Sequence, residues 1–337
     1  MRTLIVGIGA LGGIIGGRLL AAGSPVFLAT RDAESAGRLR ASGLRVTGIG
    51  GDASGSATHV AALADIGETF ELIVLATKAQ DAIEAAPRLG ELLARGGTLL
   101  PIQNGGVSQI LAERLGEERV LGGLSNLGGT MTALGAYEQR NAGHILIGEL
   151  AGGTSERATR VQSWLGRGVD VKITPNLRGA IWSKLLLNCS VTTLGAVSGG
   201  TMRGYIGTPD GRALFDRAYD EALAVALASG ARPEKMIVDP MPPGWNGHSV
   251  PGPAQDAWLS AVLAGYGDIK PSMLQDFERG RATEIDFING YVADLGKKLG
   301  VATAANAAIV DAVHAISRGR LAPGPARLGE ILTSAGG

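Results

Sequence analysis

A lysine, an asparagine and a threonine stand at positions 184, 188 and 192 of a mostly apolar run, Trp182-Ser183-Lys184-Leu185-Leu186-Leu187-Asn188-Cys189-Ser190-Val191-Thr192. On a helix a spacing of four places all three on one face. Leu185, Leu186, Leu187 and Val191 form the opposite, core-facing side. A lysine held there and partly desolvated has its pKa pulled towards neutrality. Such a group can stabilise negative charge growing on a carbonyl oxygen and hand it a proton. The plainer alternative is a lysine snorkelling at the rim of a core helix.

A second constellation opens the chain. The apolar run Thr3-Leu4-Ile5-Val6 is followed at once by Gly7-Ile8-Gly9-Ala10-Leu11-Gly12. Ile14, Ile15, Leu19 and Leu20 then keep helical period as far as Gly23. G-x-G-x-x-G between a strand and a helix is the context a dinucleotide-binding loop requires. The pyrophosphate sits at the helix N-terminus, so Gly7, Gly9, Ala10, Leu11 and Gly12 are the expected cofactor contacts.

The elements around these residues read as an alternating α/β unit. Residues 26–30 form the expected second strand, ending at Thr30-Arg31. An arginine there meets a 2′-phosphate and points to NADP. Adjacent Asp32 argues the other way unless it caps the helix expected over 33–41. Residues 72–76 read as a central parallel strand followed by Lys78 and a helix over 81–94; residues 98–102 read as the next, ending at Gln103-Asn104-Gly105. Lys78 and Asn104 thus stand at carboxyl strand ends, where such sheets bind ligands. The glycine-rich segments in 128–150 are expected to pair antiparallel at the edge of this sheet.

Beyond residue 174 the alternation stops and the pattern is helical. The expected fold is therefore an N-terminal Rossmann-type domain, 1–174, followed by an all-helical domain, 175–320, and a loose Pro/Gly-rich tail, 321–337. Residues 240–253, with Trp245 and His248, form a long loop readable as a lid or as a plain surface insertion. Ile285, Ile288, Val292, Leu295 and Leu299 make a helical stripe, with Thr283 placed as N-cap and Asp286 as its capping-box partner. Glu284 then falls in the first turn, where a carboxylate suits the helix dipole.

Composition narrows the class. Hydrophobic residues make up 45% of the 337-residue chain and the net charge is zero, so no nucleic-acid partner is indicated. The lone Cys189 cannot form an internal disulfide, which suits a reducing, cytoplasmic location. The four histidines have no metal-site spacing, and no metal is expected. No segment is expected to be long and apolar enough to cross a membrane.

Taken together, Gly7-Ile8-Gly9-Ala10-Leu11-Gly12, Lys78, Gln103-Asn104-Gly105, Trp182-Ser183-Lys184-Leu185-x-x-Asn188-Cys189, and Ser272-Met273-Leu274-Gln275-Asp276 followed by Thr283-Glu284-Ile285-Asp286 resemble the ketopantoate reductase (2-dehydropantoate 2-reductase) family. The resemblance runs from residue 1 to about residue 316. It implies a Rossmann domain, a helical domain and NADPH-dependent reduction of ketopantoate to pantoate, a step of pantothenate biosynthesis. By position, Lys184 resembles the catalytic lysine and Glu284 the acid that contacts the substrate hydroxyl. Asn188 and Ser272 resemble substrate-binding residues, with Thr192 one turn beyond. Arg31, Lys78 and Asn104 resemble cofactor-side residues. The family often carries asparagine where this chain has Thr192, which bears on the substrate more than on the reaction. The alternatives are a relative acting on another 2-oxo acid or carbonyl compound, and a catalytically silent NADP-binding regulator, against which Lys184 and Glu284 argue. A small-molecule 2-oxo acid is the expected partner. Assembly is left open, with a homodimer as candidate.

Overall fold

The computed structural model describes residues 1–336. Contacts divide the chain into two compact units, Met1–Leu177 and the remainder from Arg178, a division three residues later than the expected boundary.

In the first unit, five parallel strands lie in the order Val60–Ala62, Phe27–Thr30, Thr3–Val6, Phe70–Leu75, Leu93–Pro101. Their apolar runs are buried, as a sheet covered on both faces requires. The first strand is central: the chain passes to one side of it through Phe27–Thr30, then returns to the other through Phe70–Leu75. That reversal makes a crevice at the carboxyl ends, where ligands bind in such sheets. The helix expected over 81–94 is two short helices, Ala79–Glu84 and Ala86–Leu92, with Pro87 in the first turn of the second.

The segments in 128–150 do not extend this sheet. Gly129–Ala133 and Ala136–Gln139 pair antiparallel in a separate four-stranded sheet with Leu44–Gly48 and Ala53–Gly55. Ile145–Gly148 joins Gly122–Ser125 and Val171–Ile173 in a third. The reason is packing on the helix Ala10–Ala21. Its glycines at 13 and 17 leave room for the Tyr137 ring and the Val46 side chain, so the second sheet lies against that helix.

Among its described residues the second unit consists of helices and connecting loops, with no strand. Its centre is the run Leu177–Val197, which packs with Tyr205, Phe215 and Tyr219 in one core. By length and composition this run does reach what a membrane span needs, contrary to expectation. Yet 78% of its most apolar window is buried inside the protein, because it is the central core helix of the unit. Thr208 caps the helix Pro209–Ala228, accepting from the Gly211 amide at 3.1 Å.

Two further expectations are corrected. The tail is not wholly loose: Ala326–Ser334 is a helix that buries Leu328 and Ile331 in the unit's core. An amphipathic turn needs only two well-placed apolar residues to dock, and the Pro/Gly content before it marks a connection. Nor does Thr283 cap a helix. Ile285–Phe287 is a single tight turn, and the helix proper is Asn289–Leu299 with no side-chain cap. Asp286 is drawn instead to His314, 2.8 Å from Nε2.

Candidate functional site

The first unit builds a dinucleotide loop from three glycines with three different tasks. Gly7 has φ +89°, and a Cβ there would crowd the Thr77 backbone. At Gly12 a Cβ would overlap the Gly7 carbonyl oxygen, so the helix can start this close to the strand only without one. At Gly9 a Cβ would meet nothing within 4 Å. That open space is where a bulky anion fits, since the N–H groups of Ala10, Leu11 and Gly12 have no acceptor within their own helix.

The other residues expected on the cofactor side, Arg31, Lys78 and Asn104, each follow a strand of the same parallel sheet at its carboxyl end. Arg31 follows the second strand and its Nη2 lies 3.4 Å from Asp81 Oδ2, a pair too exposed to hold it strongly. Asp32 Oδ1 accepts from the Ser35 amide at 2.7 Å as an N-cap, and that bond is the main cause of its lowered pKa. Lys78 precedes the helix Ala79–Glu84, and Asn104 follows the strand Leu93–Pro101; both are half-buried.

Two braces of this edge escaped the sequence reading. Gln103 donates from Nε2 to the carbonyls of Leu75 and Thr77, both at 3.0 Å, tying two strand ends together. Tyr137 donates its hydroxyl to the Ile8 carbonyl in the glycine loop at 3.2 Å. Nothing local marks Tyr137, because it reaches the loop from 129 residues away.

In the second unit the polar face is realised. Between residues 179 and 197 only Lys184, Asn188 and Thr192 are not buried. Burial lowers the Lys184 pKa from 10.5 to about 8. The helix is not regular: Leu177–Leu187 is α-helical, Asn188–Thr192 is a π turn and Thr193–Val197 is α-helical again. Over eight α-helical residues a face drifts by about 80° at 3.6 residues per turn, and one added residue cuts that drift to about 20°. The π turn therefore keeps Thr192 beside Lys184. Its hydroxyl donates to the Asn188 carbonyl at 3.2 Å. Cys189 is fully buried and its thiol pKa is pushed far up by that burial, so it is a core residue.

Ser272 opens the helix Ser272–Glu278 and is exposed. Pro271 before it packs against Gly195, on the turn after Thr192, where a Cβ would lie 3.0 Å from Pro271 Cγ. Glu284 stands just before the Ile285–Phe287 turn and makes no side-chain cap there. Asn289, five residues on, donates from Nδ2 to the Cys189 carbonyl at 3.2 Å. That bond fastens the Glu284 segment to the π turn. Among the described residues no group of His, Cys, Asp and Glu is arranged to hold a metal ion.

This geometry is that of a two-unit nucleotide-dependent oxidoreductase, and comparison identifies which kind. The description "Ketopantoate reductase PanE/ApbA" matches residues 3–152, and its C-terminal counterpart matches residues 176–317. The chain belongs to the ketopantoate reductase family, whose members are oxidoreductases acting on CH–OH groups. It is 26% identical over 320 residues to a 2-dehydropantoate 2-reductase of Halobacterium salinarum, covering 94% of this chain and 99% of that one. A PanE/ApbA family ketopantoate reductase from Ralstonia eutropha superposes with a TM-score of 0.77 at 24% identity, over 95% of this chain and 99% of its own. A D-mandelate dehydrogenase solved with NADH and anilino(oxo)acetate superposes with a TM-score of 0.78 at 22% identity, over the same shares. At these identities the two structures establish the fold.

Proposed function

We propose that this protein reduces 2-dehydropantoate (ketopantoate) to pantoate with NADPH. The observation that carries the reading is the Lys184–Asn188–Thr192 face: the only positions between residues 179 and 197 that are not buried, with a lysine whose pKa burial lowers to about 8. When bound, NADPH supplies the hydride. The open space at Gly9 and the amides of Ala10 and Leu11 receive its pyrophosphate. Arg31, an exposed guanidinium at the end of the second strand, meets the 2′-phosphate. Lys78 and Asn104 line the same edge. Negative charge growing on the ketone oxygen is met by the Lys184 ammonium, which delivers the proton. Ser272 and the Asn188 amide suit the substrate carboxylate, being neutral donors. Glu284 would repel that carboxylate and so accepts from the substrate hydroxyl.

A second reading keeps the chemistry and changes the substrate. The Thr192 hydroxyl is spent on the Asn188 carbonyl, so this position offers a substrate less polarity than an asparagine would. That favours a 2-oxo acid bearing a more apolar group. Steady-state NADPH oxidation with a panel of 2-oxo acids, hydroxylated, branched and aryl, tests both. Fastest turnover of ketopantoate supports the first reading, fastest turnover of an apolar 2-oxo acid the second, and no turnover of any overturns both.

A further inference from the structure

The π turn is held from outside its own helix. Widening one turn deprives carbonyls of their regular partners, and buried carbonyls must find others. Here four consecutive carbonyls, 188 to 191, accept from side chains, Asn188 in addition to the Thr193 amide. Thr192 Oγ1 serves Asn188 at 3.2 Å and Asn289 Nδ2 serves Cys189 at 3.2 Å. The Tyr205 hydroxyl donates its one proton to Ser190 at 2.7 Å, with the Val191 carbonyl a weaker second acceptor at 3.3 Å.

Two of these donors come from distant chain segments and are themselves braced. Tyr205 is almost wholly buried, and burial raises its pKa, so the phenol stays a donor at any working pH. Asn289, fully buried, also donates to Asn306 Oδ1 at 3.0 Å. Asn306 in turn donates to the Ala218 carbonyl and to Glu221 Oε2. The Glu221 carboxylate accepts the Ala305 and Asn306 amides at 2.9 Å each, at the start of the helix Ala304–Ser317. A chain of polar contacts thus runs from one helix terminus to the π turn through the fully buried side chains of Asn289 and Asn306. Within a core, such a network favours one arrangement: Asn289 Oδ1 already has no hydrogen-bond partner, and breaking the bonds its Nδ2 makes would leave further buried polar atoms unpaired.

We propose that Tyr205 and Asn289 are positioning residues: their bonds to the carbonyls of 189 to 191 hold the π turn, and so hold Lys184, Asn188 and Thr192 on one shared face. The proposal rests on the function proposed above for that face. Without the one added residue, Thr192 rotates away from the face of Lys184 and Asn188, and the substrate-facing surface beside the proton donor is lost.

The test uses the full chain with Tyr205→Phe, which removes one hydroxyl, and Asn289→Leu, which keeps the shape and removes the amide. Thermal melts check folding. Reduction kinetics are read as kcat and KM, and NADPH binding as fluorescence. The reactivity of Lys184 towards an amine-reactive ester is followed against pH by mass spectrometry, a readout needing no turnover. The expected result for Tyr205→Phe is a folded protein with unchanged NADPH affinity and a loss of about tenfold to a hundredfold in kcat/KM, the scale of a misplacement near 1 Å. The Lys184 acylation midpoint should also move up from about 8. Asn289→Leu should follow it. A lowered melting temperature with unchanged kcat/KM and midpoint makes both residues plain core braces and overturns the proposal. A shifted midpoint in variants of a wild-type protein that reduces no 2-oxo acid supports the positioning role and overturns the function instead.

Discussion

Asp32 Oδ1 accepts the Ser35 amide at 2.7 Å, so the carboxylate serves as the cap of the helix that follows the second strand. Arg31 beside it keeps a highly exposed side chain whose one ion pair, with Asp81, is weak. Arg31→Ala should therefore raise the KM for NADPH and leave the KM for NADH nearly unchanged. A wild-type enzyme that prefers NADH, or a variant that keeps its NADPH preference, defeats the assignment.

The glycine loop separates binding from folding. Gly9 has φ −79° and open space at its Cβ position, so Gly9→Ala should keep its melting temperature and lose NADPH affinity. Gly12→Ala drives a methyl into the Gly7 carbonyl and should lower the melting temperature itself. Calorimetry with NADPH titration on both variants decides; equal thermal losses contradict this division.

As the proposed proton donor, Lys184 must be protonated to act. Its pKa near 8 means the competent fraction is full below that pH and falls as pH rises through it. The kcat/KM for ketone reduction should be level on the acid side of 8 and decline about tenfold per unit well above it. Lys184→Ala should cut kcat by roughly 10²–10⁴-fold and spare NADPH binding. A profile rising beyond pH 8, or near-normal turnover in the variant, returns Lys184 to a rim lysine.

In the proposed mechanism Glu284 accepts from the substrate hydroxyl, so its truncation should act through substrate. Loss of one charged hydrogen bond costs about 1.5–3 kcal/mol, on the order of tenfold to a hundredfold in kcat/KM. Glu284→Ala should show that loss with a hydroxylated 2-oxo acid and little with one lacking the hydroxyl. Parallel losses on the two substrates mean a structural role.

The 240–253 loop is fastened to its own unit. Asp220 accepts Trp245 Nε1 at 2.9 Å, the Ser249 amide at 2.6 Å and the Ser249 hydroxyl at 2.8 Å, and Tyr219 donates to the Pro240 carbonyl at 2.7 Å. Trp245→Phe removes one bond to a buried carboxylate, a loss of about 1.5–3 kcal/mol. It should lower the melting temperature by several degrees, at about 2–4 °C per kcal/mol, with kcat and KM unchanged. A kinetic change without a thermal one restores the lid.

Much of this protein was legible in its residues because the information was local. G-x-G-x-x-G between a strand and a helix largely specifies its own geometry: Gly12 is demanded by the Gly7 carbonyl five residues away, although the room at Gly7 is limited by Thr77, a contact no local pattern records. Lys184, Asn188 and Thr192 announce a face by their spacing alone. Strict fours, where an α-helix needs 3.6, also carried an unread hint of the π turn. What only the tertiary structure decided lies in contacts between distant segments. Tyr137 reaches the glycine loop across 129 residues and Asn289 reaches Cys189 across 100. Asp286, which reads as half of a capping box, is claimed by His314 from 28 residues on. The tail docks because Leu328 and Ile331 find an apolar seat. Propensity and period act within a few residues, whereas a buried carbonyl or methylene is satisfied by whatever the fold brings against it, and no local pattern records that partner.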